Sequence, residues 1–242
     1  MKQISTIFAL GIVLFFSSCN NSTDDKTATT DTATAVAGTD TATKAAAEPV
    51  FTPFKVMVVQ HHVKNFEKWK TGYMAHDSMR QAFNIARYGL GRGIGDTNTV
   101  IVINKIADAA KAKEFSTSPG LKEAMQKAGV SGPPKFSYID VIRNDDSKID
   151  QQERVTVAHH VKDFDAWLKV FDGEGKAARA GYGLVERGLG RGIDDPNMVY
   201  VVFAITDMAK AKARIGSPEL KKIMKDAGVD GPPQIVYYKL VD

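Results

Sequence analysis

Five histidines, His61, His62, His76, His159 and His160, are the side chains in this chain best suited to proton transfer or metal ligation near neutral pH. Four of them form two adjacent pairs, each at the end of a run rich in β-branched residues (56–63 and 154–161). Alternation along a strand sends neighbours to opposite faces, so the two imidazoles of a pair cannot chelate one ion. On that alternation His159 shares a face with Val155, Val157 and Val161, the helix-packed face. His160, like His62 in the first pair, lies on the other face, with Arg154, Thr156 and Ala158, and that face should look towards the sister sheet. No Asp, Glu or Cys stands at a familiar ligand spacing, and the chain has one cysteine, so no metal site is expected. No Ser-His-Asp or Cys-His nucleophile set stands out either.

Two readings remain for His61 and His159. Each is an acid/base or ligand-orienting group beside an aromatic wall (Trp69 and Trp167), or a core histidine hydrogen-bonded to backbone with the tryptophan as ordinary core. His62 and His160, Arg92 and Arg191, and Tyr138 and Tyr237 are polar groups placed alike in the two halves and complete the candidate ligand-binding set. For the arginines the alternatives are a ligand contact or a solvated or inter-sheet ion pair. The glycine-rich run 89–95 invites a phosphate-loop reading, but such loops lead from a strand into a helix N-terminus. This one leads into a hairpin, where glycines let a strand bend or bulge. Lysines of the second helical segment (Lys111, Lys113, Lys210, Lys212, Lys221, Lys222) lack interleaved exposed aromatics, which describes a solvated face and excludes a nucleic-acid partner.

The elements that must position these groups are written twice. His61-His62-Val63-Lys64-Asn65-Phe66 returns as His159-His160-Val161-Lys162-Asp163-Phe164. Residues 89–94 return unchanged as 188–193, and Gly132-Pro133-Pro134 returns as Gly231-Pro232-Pro233. The offset is 98 before the first helix and 99 after it, so one residue is inserted between them. Each copy reads β-α-β-β-α-β. Asn65 or Asp163 caps the first helix, and a turn at 95–98 or 194–197 joins the central strands. Ser118-Pro119 or Ser217-Pro218 interrupts the second helix, which Gly129 or Gly228 ends. The last strands are expected at 135–142 and 234–241, after the proline pairs. Residues 199–205, Val-Tyr-Val-Val-Phe-Ala-Ile, are apolar without alternation, so that strand is covered on both faces. Two helices cover only one face of a four-stranded sheet. The sister sheet is the economical cover for the other, giving an intramolecular pseudo-dimer and a monomeric chain.

This α+β pattern of two tandem ferredoxin-like units with facing antiparallel sheets resembles the dimeric α/β-barrel superfamily, and within it the antibiotic-biosynthesis-monooxygenase-like proteins. The carriers are strand-His-His-Val-Lys-Asp-Phe-Asp-Ala-Trp, the Asp-Pro-Asn hairpin, Ser-Pro-Glu-Leu and Ala-Gly-Val-Asp-Gly-Pro-Pro, over roughly residues 55–142 and 153–241. The resemblance implies an intramolecular α/β barrel with a ligand cavity between sheet and helices. It does not imply one reaction, because the superfamily includes cofactor-free oxygenases, haem degraders and isomerases. The strand-1 asparagine of the haem degraders is absent here, so no cofactor is called for.

Residues 1–18 hold one early lysine and then an apolar run from 4 to 16, too short to span a bilayer comfortably at about 18 residues and of signal-peptide length. The run ends Phe16-Ser17-Ser18-Cys19, which resembles the lipobox of bacterial lipoproteins, with Cys19 lipidated and Phe16 where leucine is usual. Residues 19–50 are Thr-, Ala- and Asp-rich, carry a net charge of −3 and have no aromatic side chain. Such a segment is expected to be a disordered tether. The two repeats then occupy 51–146 and 147–242 and carry a net +6. The 242 residues are 43% apolar, which excludes disorder along the whole chain.

The expected protein is therefore a lipid-anchored lipoprotein of the bacterial cell envelope, at the outer membrane. It would bind a small apolar or aromatic ligand in its sheet–helix clefts. The alternatives are a cofactor-independent monooxygenase or isomerase using His61 and His159, and a structural envelope protein without a ligand.

Overall fold

In the computed structural model the described residues are 51–241. The signal-like run, Cys19 and the tether lie outside them. Each half opens with a strand, β1 (Phe54–Val63) or β5 (Glu153–Val161). A capped helix follows: Asn65 Oδ1 accepts the Lys68 N–H at 2.9 Å, and Asp163 Oδ1 accepts the Ala166 N–H at 2.8 Å. Where one helix was expected there are two. α1 (Phe66–Ala75) gives way at His76 to α2 (Asp77–Gln81). α5 (Phe164–Glu174) gives way at Gly175 to α6 (Lys176–Gly181). Gly175 has φ +81°, a left-handed value that favours glycine, and the one-residue difference between the halves falls at this break.

The central hairpins pair β2 (Ile85–Gly93) with β3 (Thr99–Ile106) and β6 (Leu184–Gly192) with β7 (Met198–Ile205). In their turns the Asp96 and Asp195 carboxylates accept the Asn98 and Asn197 N–H groups, both at 3.0 Å. The second helical segment is split at serine as expected, into α3 (Ala109–Thr117) and α4 (Pro119–Ala128), then α7 (Met208–Gly216) and α8 (Pro218–Asp226). Ser118 and Ser217 are extended and cap the helices that follow, while Gly129 and Gly228 leave those helices at φ +83° and +90°.

The last strands, β4 (Val130–Asn144) and β8 (Val229–Leu240), begin before the proline pairs and not after them. Val130 already pairs with Val63 and Ser131 with His62, and the register then shifts before Gln60 meets Lys135. The prolines, which cannot donate to a ladder, fall inside that irregularity.

The strands form one closed barrel in the order β1-β3-β2-β8-β5-β7-β6-β4. The facing sheets are joined along two seams, β2–β8 and β4–β6, all antiparallel. At the seams the glycines allow close approach. A Cβ on Gly91 would lie 2.4 Å from Tyr238 Cδ2, and one on Gly190 would lie 2.4 Å from Ile139 Cγ2. Arg143 on β4 also grips Asp172 of α5 with two parallel bonds of 2.6 and 2.7 Å, tying the halves outside the ladder.

Two cores lie outside the barrel, beneath the helices. One gathers Val63, Phe66, Trp69, Ile85 and Val100; the other gathers Val161, Phe164, Trp167, Leu184 and Val199. Burying each such side chain contributes about 1.5–3 kcal/mol. β7 is covered on both faces, as its composition requires: Val199, Val201 and Phe203 join the outer core, while Tyr200 and Val202 line the barrel.

Candidate functional site

Among the described residues three concave spaces stand out, and they differ in ways the repeated sequence does not advertise. The cleft between sheet and helices has a volume of about 60 Å³ in the first half and about 1010 Å³ in the second. A third space of about 410 Å³ lies inside the barrel.

Four aligned differences distinguish the clefts, two in their width and two in the polarity of their floors. In the first half α1 and α4 touch through Gly72, where an added Cβ would stand 3.3 Å from Ala128 Cβ. Val170 stands at the matching place on α5, with its side chain exposed. Phe115 fills the first cleft and packs on Phe83 with ring centroids 5.4 Å apart. Its counterpart is Arg214, drawn aside by Glu174 at 2.7 Å and Glu219 at 3.1 Å. Phe203 replaces the buried Asn104, to which the Tyr73 hydroxyl donates at 3.3 Å, and Phe171 replaces Tyr73. The second cleft is thus wider and more apolar along its floor.

That floor is made of Val157, Trp167, Phe171, Leu184, Val201 and Phe203, with Leu220 and Met224 of α8 opposite. Trp167 stacks on Phe171 at 5.0 Å, and His159 meets Trp167 edge-on at 5.4 Å. One end is a buried ionic network. Arg179 donates to Glu186 at 2.7 Å and to the Phe171 carbonyl at 2.6 Å, while Glu174 bridges towards Arg214. Lys162, Lys212, Lys221 and Lys225 stand at the rim with Asp230.

The sequence-selected residues separate into three groups. His61 with Trp69 and His159 with Trp167 face the helices, each pair lining its cleft. Tyr237 also lines the second cleft, and burial pushes its phenol up. Tyr138 instead donates to Ser116 Oγ at 2.7 Å, a partner that Tyr237 lacks because Ile215 takes that place.

Arg92 and Arg191 form neither the solvated nor the ion-paired arrangement. Each stacks on the first phenyl ring of a helix, Phe66 at 4.1 Å and Phe164 at 3.9 Å. Each also donates Nε to a turn carbonyl, of Thr97 and Pro196 respectively. They brace the hairpins and line neither cleft.

His62 and His160 were expected to look across at the sister sheet. They sit instead at strand ends, after the register shift, and line no part of the barrel space. His62 Nδ1 lies 2.8 Å from Ser131 Oγ, and His160 Nδ1 lies 2.6 Å from Asp230 Oδ1. Among the described residues no group of His, Cys, Asp and Glu is placed to hold a metal ion.

Desolvation lowers the imidazoles of His61 and His159 from the ordinary 6.5 to about 4. Both are neutral at pH 7, and His159 Nε2 and Trp167 Nε1 have no hydrogen-bond partner. The same holds for both ring nitrogens of His61, so the unmet capacity belongs to the fold. A neutral, weakly basic imidazole is better suited to receiving or donating a hydrogen bond than to removing a proton from carbon.

No protein-family model matches the chain, and no curated protein matches it. Solved structures do share its fold. An anthrone oxidase-like protein is 11% identical with a TM-score of 0.53, covering 78% of this chain and 92% of its own. A candidate monooxygenase from Fusobacterium nucleatum is 12% identical with a TM-score of 0.50, covering 78% and 93%. At these identities the likeness concerns the ferredoxin-like barrel fold alone.

The histidines make a prediction about acid. The unfolded chain binds their protons from about pH 6.5 downward, and the folded protein does so only near 4. Their contribution is therefore complete above pH 6.5 and is lost as the pH falls towards 4, by on the order of 3 kcal/mol each. Urea unfolding between pH 7 and 5 should show falling stability, and His61→Gln with His159→Gln should flatten that slope. An unchanged slope in the double variant would mean the histidines are not buried in neutral form.

Proposed function

We propose that this protein is a duplicated, lipid-anchored envelope lipoprotein that binds a small apolar or aromatic molecule in the sheet–helix cleft of its second half. The observation that carries the reading is the contrast between the two clefts: about 1010 Å³ with an apolar floor, against about 60 Å³ for its sister. Ligand sites for small organic molecules are concave, mostly apolar and furnished with a few polar groups, here the unpartnered Trp167 Nε1 and the Arg179–Glu186 pair at one end. In this reading the first half is a closed structural copy. Its cleft is occupied by its own Phe115 and by the contact of α1 with α4.

The competing enzymatic reading, a cofactor-independent monooxygenase or isomerase with His159 as base, meets the low basicity of that imidazole. Binding alone makes no such demand. The lipid anchor rests on the lipobox-like run ending at Cys19, the sole cysteine, followed by an acidic, Thr-rich tether. Several acyl chains on one residue hold a protein on a bilayer, each buried CH₂ contributing about 0.8 kcal/mol.

Anthrone, a flat tricyclic aromatic, is a suitable first probe of the cleft. In a Trp69→Phe background Trp167 is the sole tryptophan, and anthrone should quench its emission saturably. Importing the first half's closing residues by Val170→Gly with Arg214→Phe should weaken that quenching about tenfold or more. Quenching unaffected by the double substitution would remove the cleft from the proposal. For the anchor, Cys19→Ala should move the protein from the membrane to the soluble fraction of the cell envelope, and unchanged membrane partition would reject lipidation there.

A further inference from the structure

The space inside the barrel carries an inference independent of the cleft. Its two walls are chemically unlike. β1, β2 and β3 face it mainly with hydrocarbon, Val56, Val58, Leu90, Ile101 and Ile103, interrupted by Gln60 where the second half has Ala158. At matching positions the second half presents Arg154 for Val56, Thr156 for Val58 and Tyr200 for Ile101. The fold therefore tolerates hydrocarbon at the place where Arg154 stands.

Arg154 is only 8% exposed. Its Nη1 donates to the carbonyls of Gln151 at 2.6 Å and Glu153 at 3.0 Å, and it forms no ion pair with any described residue. Of the side chains acting on it electrostatically, Tyr238 is a buried phenol and Arg187 is also positive, itself paired with Asp145 at 3.1 Å. Asp145 and Asp146 stand at the Arg187 end of the space, and Lys135 also lines it. A buried guanidinium without a carboxylate is costly unless something supplies the missing charge. Two carbonyls hold one nitrogen of the fork in place and leave its other donors for a ligand.

We propose that the barrel interior is a second binding site, which takes a small organic carboxylate with an apolar tail. The carboxylate pairs with Arg154, and the tail lies against the valine, leucine and isoleucine wall of the first half. At about 410 Å³ the space suits a short fatty acid.

Octanoate is the probe, titrated calorimetrically into the whole protein. It should bind, and Arg154→Met should weaken binding by about tenfold or more, the usual range for a charge-assisted bond. Ala158→Phe, which fills the space from β5 without touching the charge, should weaken it as much. Circular dichroism and the unfolding midpoint establish that each variant is folded. The proposal is overturned if octanoate does not bind at millimolar concentration. It is equally overturned if both folded variants bind within about twofold of the parent. Affinity lost in Lys221→Gln with Lys225→Gln, and kept in the other two, would place the carboxylate at the cleft rim and also overturn it.

Discussion

Closure of the barrel is the constraint on which the rest of this molecule depends. A four-stranded sheet with helices on one face leaves an apolar face bare, and neither half can bury it alone. The seams β2–β8 and β4–β6 remove that face from water and remove every sheet edge at the same time. They demand close backbone approach at Gly91 and Gly190, where a side chain would collide with Tyr238 or Ile139. The repeated Gly-Leu-Gly-Arg-Gly run is thus a device of closure, and a phosphate-loop reading of it has no structural basis here.

Once the barrel is closed, space for a ligand can exist only outside it under the helices or within it. The first half uses its outer space for packing and the second leaves it open. The decision lies in a few side chains: Gly72 lets α4 settle on α1, and Val170 offers α8 no such seat. Phe115 plugs, while Arg214 is held back by Glu174 and Glu219. A duplication allows this division of labour, because one copy can supply stability while the other keeps an unfilled cleft.

Much of the architecture is legible in the sequence, and for identifiable reasons. Caps at Asn65, Asp163, Ser118 and Ser217 are local hydrogen-bond chemistry, and local chemistry reads directly. The unalternating 199–205 strand announces cover on both faces. The break at Gly175 and the early start of β4 and β8 are harder. A left-handed glycine inside a helical pattern resembles any other glycine, and Gly-Pro-Pro suggests a loop unless the partner strand is known to bulge. The faces of His61 and His159 follow from alternation, and His62 and His160 keep to the opposite face but fall at strand ends, beyond the stretch that lines the barrel space. The unequal clefts are not legible in the repeat itself, because identities between the copies carry only what is shared. The informative positions are the differences, Gly72 against Val170, Phe115 against Arg214 and Val56 against Arg154. The buried Arg179–Glu186 pair shows the same thing, since its sister place carries Arg80 and the exposed Arg87.

The central claim is that one half of a nearly symmetric molecule holds the ligand. The two tryptophans report on it directly, one in each cleft. In a ¹H–¹⁵N spectrum of the ¹⁵N-labelled protein their indole N–H signals are assigned by Trp69→Phe and Trp167→Phe. On titration with anthrone the Trp167 signal should move progressively while the Trp69 signal stays in place. Equal movement of both, or movement of Trp69 alone, would contradict the account.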